Sequence, residues 1–229
     1  MSVGGPGWAP QDIDPTKPSV ARVYDYYLGG SHNFESDRAF GRQALGAFPG
    51  LSQILRDNRA FLRRVVLFLV AAGVDQFLDL GSGIPTVGNV HEVAQAANPL
   101  ARIVYVDHDP VAVLFIAVLP FIDDAERPAE LVGRYMTAAA RGSYLAVSHP
   151  LRVARSAALD LTRVYEQPRS PNALRFRSGE QIEALFGDLT VVDPGVVLMP
   201  LWRPEPTDDG QAPQVGPDYP GLAGLGRRD

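Results

Sequence analysis

Apolar positions along the chain fall first into helical stripes and then into short runs separated by glycine turns. Val20, Val23, Tyr24, Tyr27 and Leu28 repeat at the i, i+3, i+4, i+7, i+8 spacing of one helical face, with Ser19 as start and Gly29-Gly30 as stop. A second helix is predicted over Glu35–Phe48, closed by Pro49-Gly50. A third begins at Ser52, where Ile54, Leu55, Phe61, Leu62, Val65, Val66 and Leu69 hold one stripe over several turns. Asn58 interrupts that stripe, and reads equally as a core-edge amide satisfied by backbone or as a ligand contact.

The pattern then changes period. Gln76–Leu80 is a short strand, Gly81–Pro85 a turn, and Thr86 a cap for a helix with Val90, Val93, Ala94 and Ala97 on its apolar face. Arg102–Val106 is the next strand, so these thirty residues make a βαβ unit of a parallel sheet. Further on, the spacing predicts a helix from Pro128 to Ala140, a strand over Ser143–Ser148, a helix within Ala154–Tyr165 and a capping-box helix from Ser178 to Gly187. Leu189–Val192 and Val196–Trp202, joined by Pro194-Gly195, read as a terminal antiparallel hairpin. Residues 1–18 and 204–229 are Pro/Gly-rich and aperiodic. One domain is therefore expected, with a flexible lead-in over 1–18, a helical cap over 19–73, a Rossmann-like core over 74–203 and a tail over 204–229.

The composition of the 229 residues narrows the chemistry. No cysteine is present, which removes disulfides, thiolate metal sites and cysteine nucleophiles. The four histidines form no HExxH or HxH pair, so no metal site is expected. A net charge of −5 gives no general attraction to nucleic acid or anionic membrane. No apolar run reaches the roughly 20 residues of a membrane span, and residues 1–18 lack a secretory pattern, so the expected compartment is the cytoplasm. Lys17 is the only lysine among many arginines, as GC-rich bacterial coding would produce.

The chemistry is concentrated where the first strand ends. Gly81 and Gly83 allow backbone to approach a cofactor, and the following helix presents N–H groups. Asp79 can fix those turn amides or take a cationic cofactor group. Asp107, after the second strand, stands where a carboxylate grips a ribose diol. A plain strand-to-helix turn and a loop-capping Asp107 are the structural alternative. A dinucleotide fingerprint needs a third glycine where this register has Thr86, which disfavours NAD and leaves S-adenosylmethionine as the better fit.

Arg22-Val-Tyr-Asp-Tyr-Tyr-Leu-Gly-Gly30, Asn33-Phe34, Asp37-Arg38, Asn58-Arg-Ala-Phe-Leu-Arg63, Asp79-Leu-Gly-Ser-Gly-Ile-Pro-Thr86, Gly88-Asn-Val-His-Glu92 and Val104-Tyr-Val-Asp107-His-Asp-Pro110 together resemble a bacterial family of predicted S-adenosylmethionine-dependent methyltransferases. The resemblance continues through Gly142-Ser-Tyr-Leu145, Ser148-His149, Pro194-Gly195 and Trp202-Arg-Pro-Glu205, and covers most of the chain from Pro18 to Glu205. It implies an α/β, Rossmann-like class I methyltransferase with a mostly parallel sheet, a terminal antiparallel hairpin and an N-terminal helical cap. By that resemblance Asp79, Gly81, Ser82, Gly83, Pro85, Thr86 and His108 bind the cofactor and Asp107 takes the ribose. Tyr24, Asn33, Arg38 and Asn58 are the candidates to close over cofactor or substrate, with cap packing as the competing role. His91 and His149 read better as satisfied structural histidines than as site walls. No catalytic base and no methyl acceptor are assigned, and the oligomeric state is left open. Two other functions stand beside this one: a non-catalytic remnant of the fold acting as a binding or interaction protein, and an NAD(P)-dependent oxidoreductase.

One departure from the family matters. Only Asp107–Pro110 separates the second strand from the apolar run Val111–Ile122, whereas a parallel neighbour needs a crossover of a dozen or more residues. The family has there a helix, a further strand and an adenine-facing loop, so a segment is absent after Pro110 and the sheet is expected to be incomplete. Val111–Ile122 then takes the helix position, pairs unconventionally, or leaves a sheet edge exposed. Pro120 also stands where the family places a histidine.

Overall fold

The computed structural model describes residues 13–84, 88–106, 114–153, 156–168, 170, 172–205, 213–216 and 218–229. Three helices open the chain: α1 (Val20–Tyr27), α2 (Glu35–Ala47) and α3 (Leu51–Ala71). The stripe expected of α3 is the one it buries, since Phe61, Leu62, Val65, Val66 and Leu69 are all within the core. Strand β1 (Gln76–Leu80), helix α4 (Val90–Ala97) and strand β2 (Arg102–Val106) follow in the predicted order. The cap of α4 is not Thr86, which lies outside the described residues with Pro85; Asn89 holds that position, in a capping box with Glu92.

The remaining elements are β3 (Leu114–Ile116), α5 (Pro128–Ala138), β4 (Tyr144–Pro150), α6 (Ser156–Tyr165), α7 (Gly179–Glu183), β5 (Thr190–Val191), β6 (Val197–Leu198) and β7 (Gly221–Arg227). The sheet runs β2-β1-β3-β4-β7-β5, with β6 also on β7. Strands β2, β1, β3 and β4 are parallel, and β7 is antiparallel to β4, β5 and β6.

Two expectations are corrected here. Residues 189–202 do not pair as a hairpin: β5 and β6 each pair with β7. The C-terminal stretch is not simply a tail, because Gly221–Arg227 is inserted between β4 and β5 in the middle of the sheet. Its alternation explains the fit. Ala223 and Leu225 are buried on the α3 side, while Gly224 and Gly226 leave room for the Phe186 ring on the other, where a Cβ would sit 3.0 and 2.9 Å from ring carbons.

Of the apolar run Val111–Ile122, residues 111–113 lie outside the described residues and Leu114–Ile116 forms a strand. β3 does not neighbour β2; it lies on the far side of β1, and its first residue, Leu114, registers with Asp79 near the end of β1. Val106, the last residue of β2, registers with Leu80. Two sheet spacings are about 10 Å, and the seven residues between Val106 and Leu114 reach roughly 23 Å when extended, so no return along the full strand is needed. Leu119–Phe121 is a single 3₁₀ turn. Among the described residues the sheet ends at β2, where Val104 and Tyr105 are exposed.

Helices cover both faces. On one, α3 and α4 pack with Phe77, Leu114, Ala146 and Trp202; Phe61 and Trp202 meet edge to face at 5.4 Å. On the other, Val132 and Met136 of α5 pack with Phe115, Leu145, Val147 and Phe186. A third cluster joins α1 and α2 to α6 through Val23, Tyr27, Phe40, Leu161 and Tyr165. Asp37 pins this cap: fully buried, it accepts from Arg22 Nε at 2.7 Å, the Ser19 amide at 2.9 Å and the Phe34 amide at 2.8 Å. Among the described residues no helix is long and apolar enough to cross a membrane.

Candidate functional site

A cleft of about 560 Å³ opens at the carboxyl end of β1. Its floor is the turn after Leu80, where Gly81 has φ +68° and Gly83 φ +63°, a region glycine enters without steric cost. Gly81 lies so close to Val118 that a Cβ would fall 2.6 Å from a Val118 methyl. On the cap side Ala21 of α1 rests against Gly83, and α3 contributes Asn58, Arg59 and Leu62. The opposite wall is Ala117 and Val118 after β3, with Phe121. Ala117 has φ +60°, uncommon for a residue with a side chain, and its amide donates to Ser148 Oγ at 3.1 Å.

The polar groups of the cleft come from Ser19, Tyr24, Asn58, Arg59, Asp79, Ser82 and Asn172. Asp79 lines it and is largely buried. Asn58 is 3% exposed; its Nδ2 donates to the Tyr24 hydroxyl at 3.0 Å, while its Oδ1 has no partner. Burial pushes the Tyr24 phenol above its ordinary range, so it stays neutral. Arg59 Nη2 donates to the Gly88 carbonyl at 3.0 Å, tying α3 to the start of α4. Two amides there, of Gly88 and Asn89, are already taken by Glu92 at 2.7 and 2.8 Å; these bonds hold the Glu92 carboxyl below its ordinary value.

A second, smaller space of about 100 Å³ adjoins the first. Both are lined by Val20, Tyr24, Asn58, Ala117 and Phe121. Apolar side chains form most of the inner wall, with Tyr27, Tyr165 and His149 among them. The Tyr27 and Tyr165 hydroxyls are 3.3 Å apart. Burial raises both phenols, Tyr165 to about 12. His149 is 1% exposed, and burial lowers its pKa to about 4. Arg177 Nη1 donates to its Nε2 at 2.6 Å, which leaves Nδ1 to donate to the Pro150 carbonyl at 2.9 Å. Arg177, itself buried, also donates to the carbonyls of Leu119 and Ile122 and to Asp124 Oδ1, holding the segment that forms one wall.

Of the residues named from sequence, the structure brings Asp79, Gly81, Ser82, Gly83, Tyr24 and Asn58 together around one cleft. Pro85, Thr86, Asp107 and His108 lie outside the described residues. Asn33 and Arg38 line neither space. Asn33 Nδ2 donates to Asp25 Oδ2 and the Gly30 carbonyl, and its Oδ1 accepts from Arg38 Nη1, so both act in the turn before α2. His149 is structural as expected, though it borders the smaller space; His91 sits on the surface with Tyr105, Nδ1 to hydroxyl 2.6 Å. Ala117, Val118 and Asn172, which also line the cleft, carry no local sequence signal: their place follows from the short β3 and the chain path of the C-terminal half.

The family profile described as S-adenosyl methyltransferase matches residues 6–114 and 109–229. The chain belongs to that family. The match falls in two stretches that meet at 109–114, where the sequence is short of a crossover. The chain is similar to a solved candidate methyltransferase from Thermobifida fusca, 36% identical, covering 98% of this chain and 100% of that one with a TM-score of 0.86. A DUF574 family protein from Streptomyces avermitilis is 27% identical, covers 94% and 99%, and gives a TM-score of 0.85. No curated protein matches the chain at a significant level. With the methyltransferase family established, the parallel β1, β2, β3 and β4 with antiparallel β7 are its Rossmann-like core; of the three opening helices, α3 covers one face of that sheet, while α1 and α2 pack with α6.

Proposed function

We propose that the chain is an S-adenosylmethionine-dependent methyltransferase, binding its cofactor in the cleft beside Asp79–Ile84 and its methyl acceptor in the adjoining space. The observation that carries this reading is the shared wall of the two spaces: Tyr24, Asn58 and Ala117 border both, so a donor in one and an acceptor in the other meet at those residues. The cleft volume falls in the range of sites for ligands of this size, roughly 300–1,000 Å³, and the Asp79 carboxylate suits the cationic group of such a cofactor. The bound cofactor supplies a methyl group on a sulfonium. Asp79 would hold its cationic group, the Gly81–Gly83 backbone would allow close approach, Pro85, Thr86 and His108 would line the cofactor, and Asp107 would take the ribose. Transfer in line needs positioning more than a base, which accords with His149 having both ring nitrogens engaged.

Among the described residues the sheet ends at β2, which would leave the adenine side poorly enclosed, so affinity is expected to be weaker than about 100 μM, near −5.5 kcal/mol. Calorimetric titration with S-adenosylhomocysteine, S-adenosylmethionine and NAD tests the reading; Asp107→Ala should weaken binding by about 1–3 kcal/mol. Heat from NAD with none from S-adenosylhomocysteine overturns it. The same open edge favours the second reading, a remnant that binds without turnover. Conversion of S-adenosylmethionine to S-adenosylhomocysteine over a panel of hydroxylated and amine metabolites separates the two.

A further inference from the structure

The smaller space has three properties that restrict what enters it. Its volume, about 100 Å³, is below the roughly 150 Å³ of an engineered cavity that holds benzene, so nothing beyond one six-membered ring enters, and that ring keeps one edge out in the adjoining cleft, with which the space shares Tyr24, Asn58 and Ala117. Its walls offer no charge: Tyr24, Tyr27 and Tyr165 are neutral phenols and His149 is a neutral imidazole held by Arg177 and Pro150. An ion there loses its water and finds no counter-charge. At the mouth, where the space meets the cleft, stands a buried acceptor without a partner, Asn58 Oδ1. A buried carboxamide oxygen of this kind awaits a donor. In this orientation Nδ2 donates to the Tyr24 hydroxyl and Oδ1 is left unpartnered; a flipped amide would accept from Tyr24 and leave Nδ2 unpartnered instead.

Resting on the cofactor reading above, we infer that the acceptor is an uncharged, single-ring hydroxyl compound, its ring in the space behind Asn58 and its hydroxyl donating to Asn58 Oδ1. That hydrogen bond leaves the hydroxyl oxygen's lone pairs free toward the cleft. One pair forms the new O–CH₃ bond as the S–CH₃ bond breaks; the electrons of the broken bond stay on sulfur, giving the thioether of S-adenosylhomocysteine, and the proton of the methylated oxygen goes to water in the open cleft as that oxygen parts from Asn58 Oδ1. Asn58 orients the oxygen and takes no proton.

Phenol and benzoate serve as probes, titrated by ligand-observed NMR into the native chain with and without millimolar S-adenosylhomocysteine, whose own binding is measured first. Phenol should bind at least tenfold more tightly than benzoate. Asn58→Leu should weaken phenol about tenfold, the loss of one buried hydrogen bond, with folding checked by thermal melt. Leu55 lines the small space and not the cleft, so Leu55→Trp should abolish phenol binding and keep the S-adenosylhomocysteine signal. Benzoate binding as well as phenol, or Leu55→Trp binding phenol like the native chain, overturns the inference. Absence of S-adenosylhomocysteine binding with phenol still held behind Asn58 sinks the cofactor reading and leaves the ring site standing.

Discussion

Replacing Gly81 by alanine tests the geometry of the site floor directly. A side chain at φ +68° costs about 1–2 kcal/mol. The added Cβ would lie 2.6 Å from Val118 Cγ2 and 2.9 Å from Val118 Cβ, and such overpacking costs roughly 1–3 kcal/mol. Val118 cannot retreat freely, because Ala117 before it is anchored to Ser148. Loss of glycine's entropy in the unfolded chain returns about 0.4–1 kcal/mol, so the net destabilisation is about 2–4 kcal/mol. At roughly 2–4 °C per kcal/mol for a chain of this size, the melting temperature should fall by about 5–15 °C. Gly73 is the control: it has φ +86°, and a Cβ added there would meet nothing within 4 Å, so Gly73→Ala carries only the backbone cost, about 1 kcal/mol. Differential calorimetry on both variants isolates the Val118 contact. Equal losses within about 0.5 kcal/mol would refute a close approach between the glycine turn and the segment after β3.

Two further outcomes follow from the buried network behind the site. Arg177→Met strips the guanidinium from the Leu119 and Ile122 carbonyls and from His149 Nε2, and should cost about 2–4 kcal/mol in urea unfolding; Arg177→Lys should not restore it, since an ammonium cannot span those partners. His149 has a folded pKa near 4 against an ordinary 6.5, so above pH 6.5 both states are neutral and it has no effect. Between pH 6.5 and 4 the unfolded chain takes the proton and the folded one does not, so stability should fall with pH by up to about 3 kcal/mol. A His149→Gln variant that shows the same pH dependence as the native chain would remove His149 as its source.

The helical cap and the glycine turn were legible because each rests on local signals: a stripe at helical spacing in α3, and two glycines after a strand that ends in Asp79. Tyr24 and Asn58 reached the site because the cap folds over that turn. Asn33 and Arg38 looked alike in sequence, yet their groups are consumed by Asp25, the Gly30 carbonyl and each other. The smaller strands were harder. β7 reads as glycine-rich tail until Phe186 is known to need the space its glycines leave. β3 is only three residues long, and its position beyond β1 is a matter of sheet order, which no local period encodes.

The placement of β7 has a consequence for how the chain comes to be folded. It is the latest strand of the sheet in sequence, and three others pair with it: β4, β5 and β6. During synthesis, at about 5–20 residues per second, β1 to β4 emerge first and can assemble with α3, but β4 keeps one side bare until Arg227 has been made. Among the described residues β5 and β6, two residues each, have no other strand to hold them. A ribosome paused between residues 150 and 220 therefore carries a half-sheet with an open apolar edge, the species on which a chaperone would act.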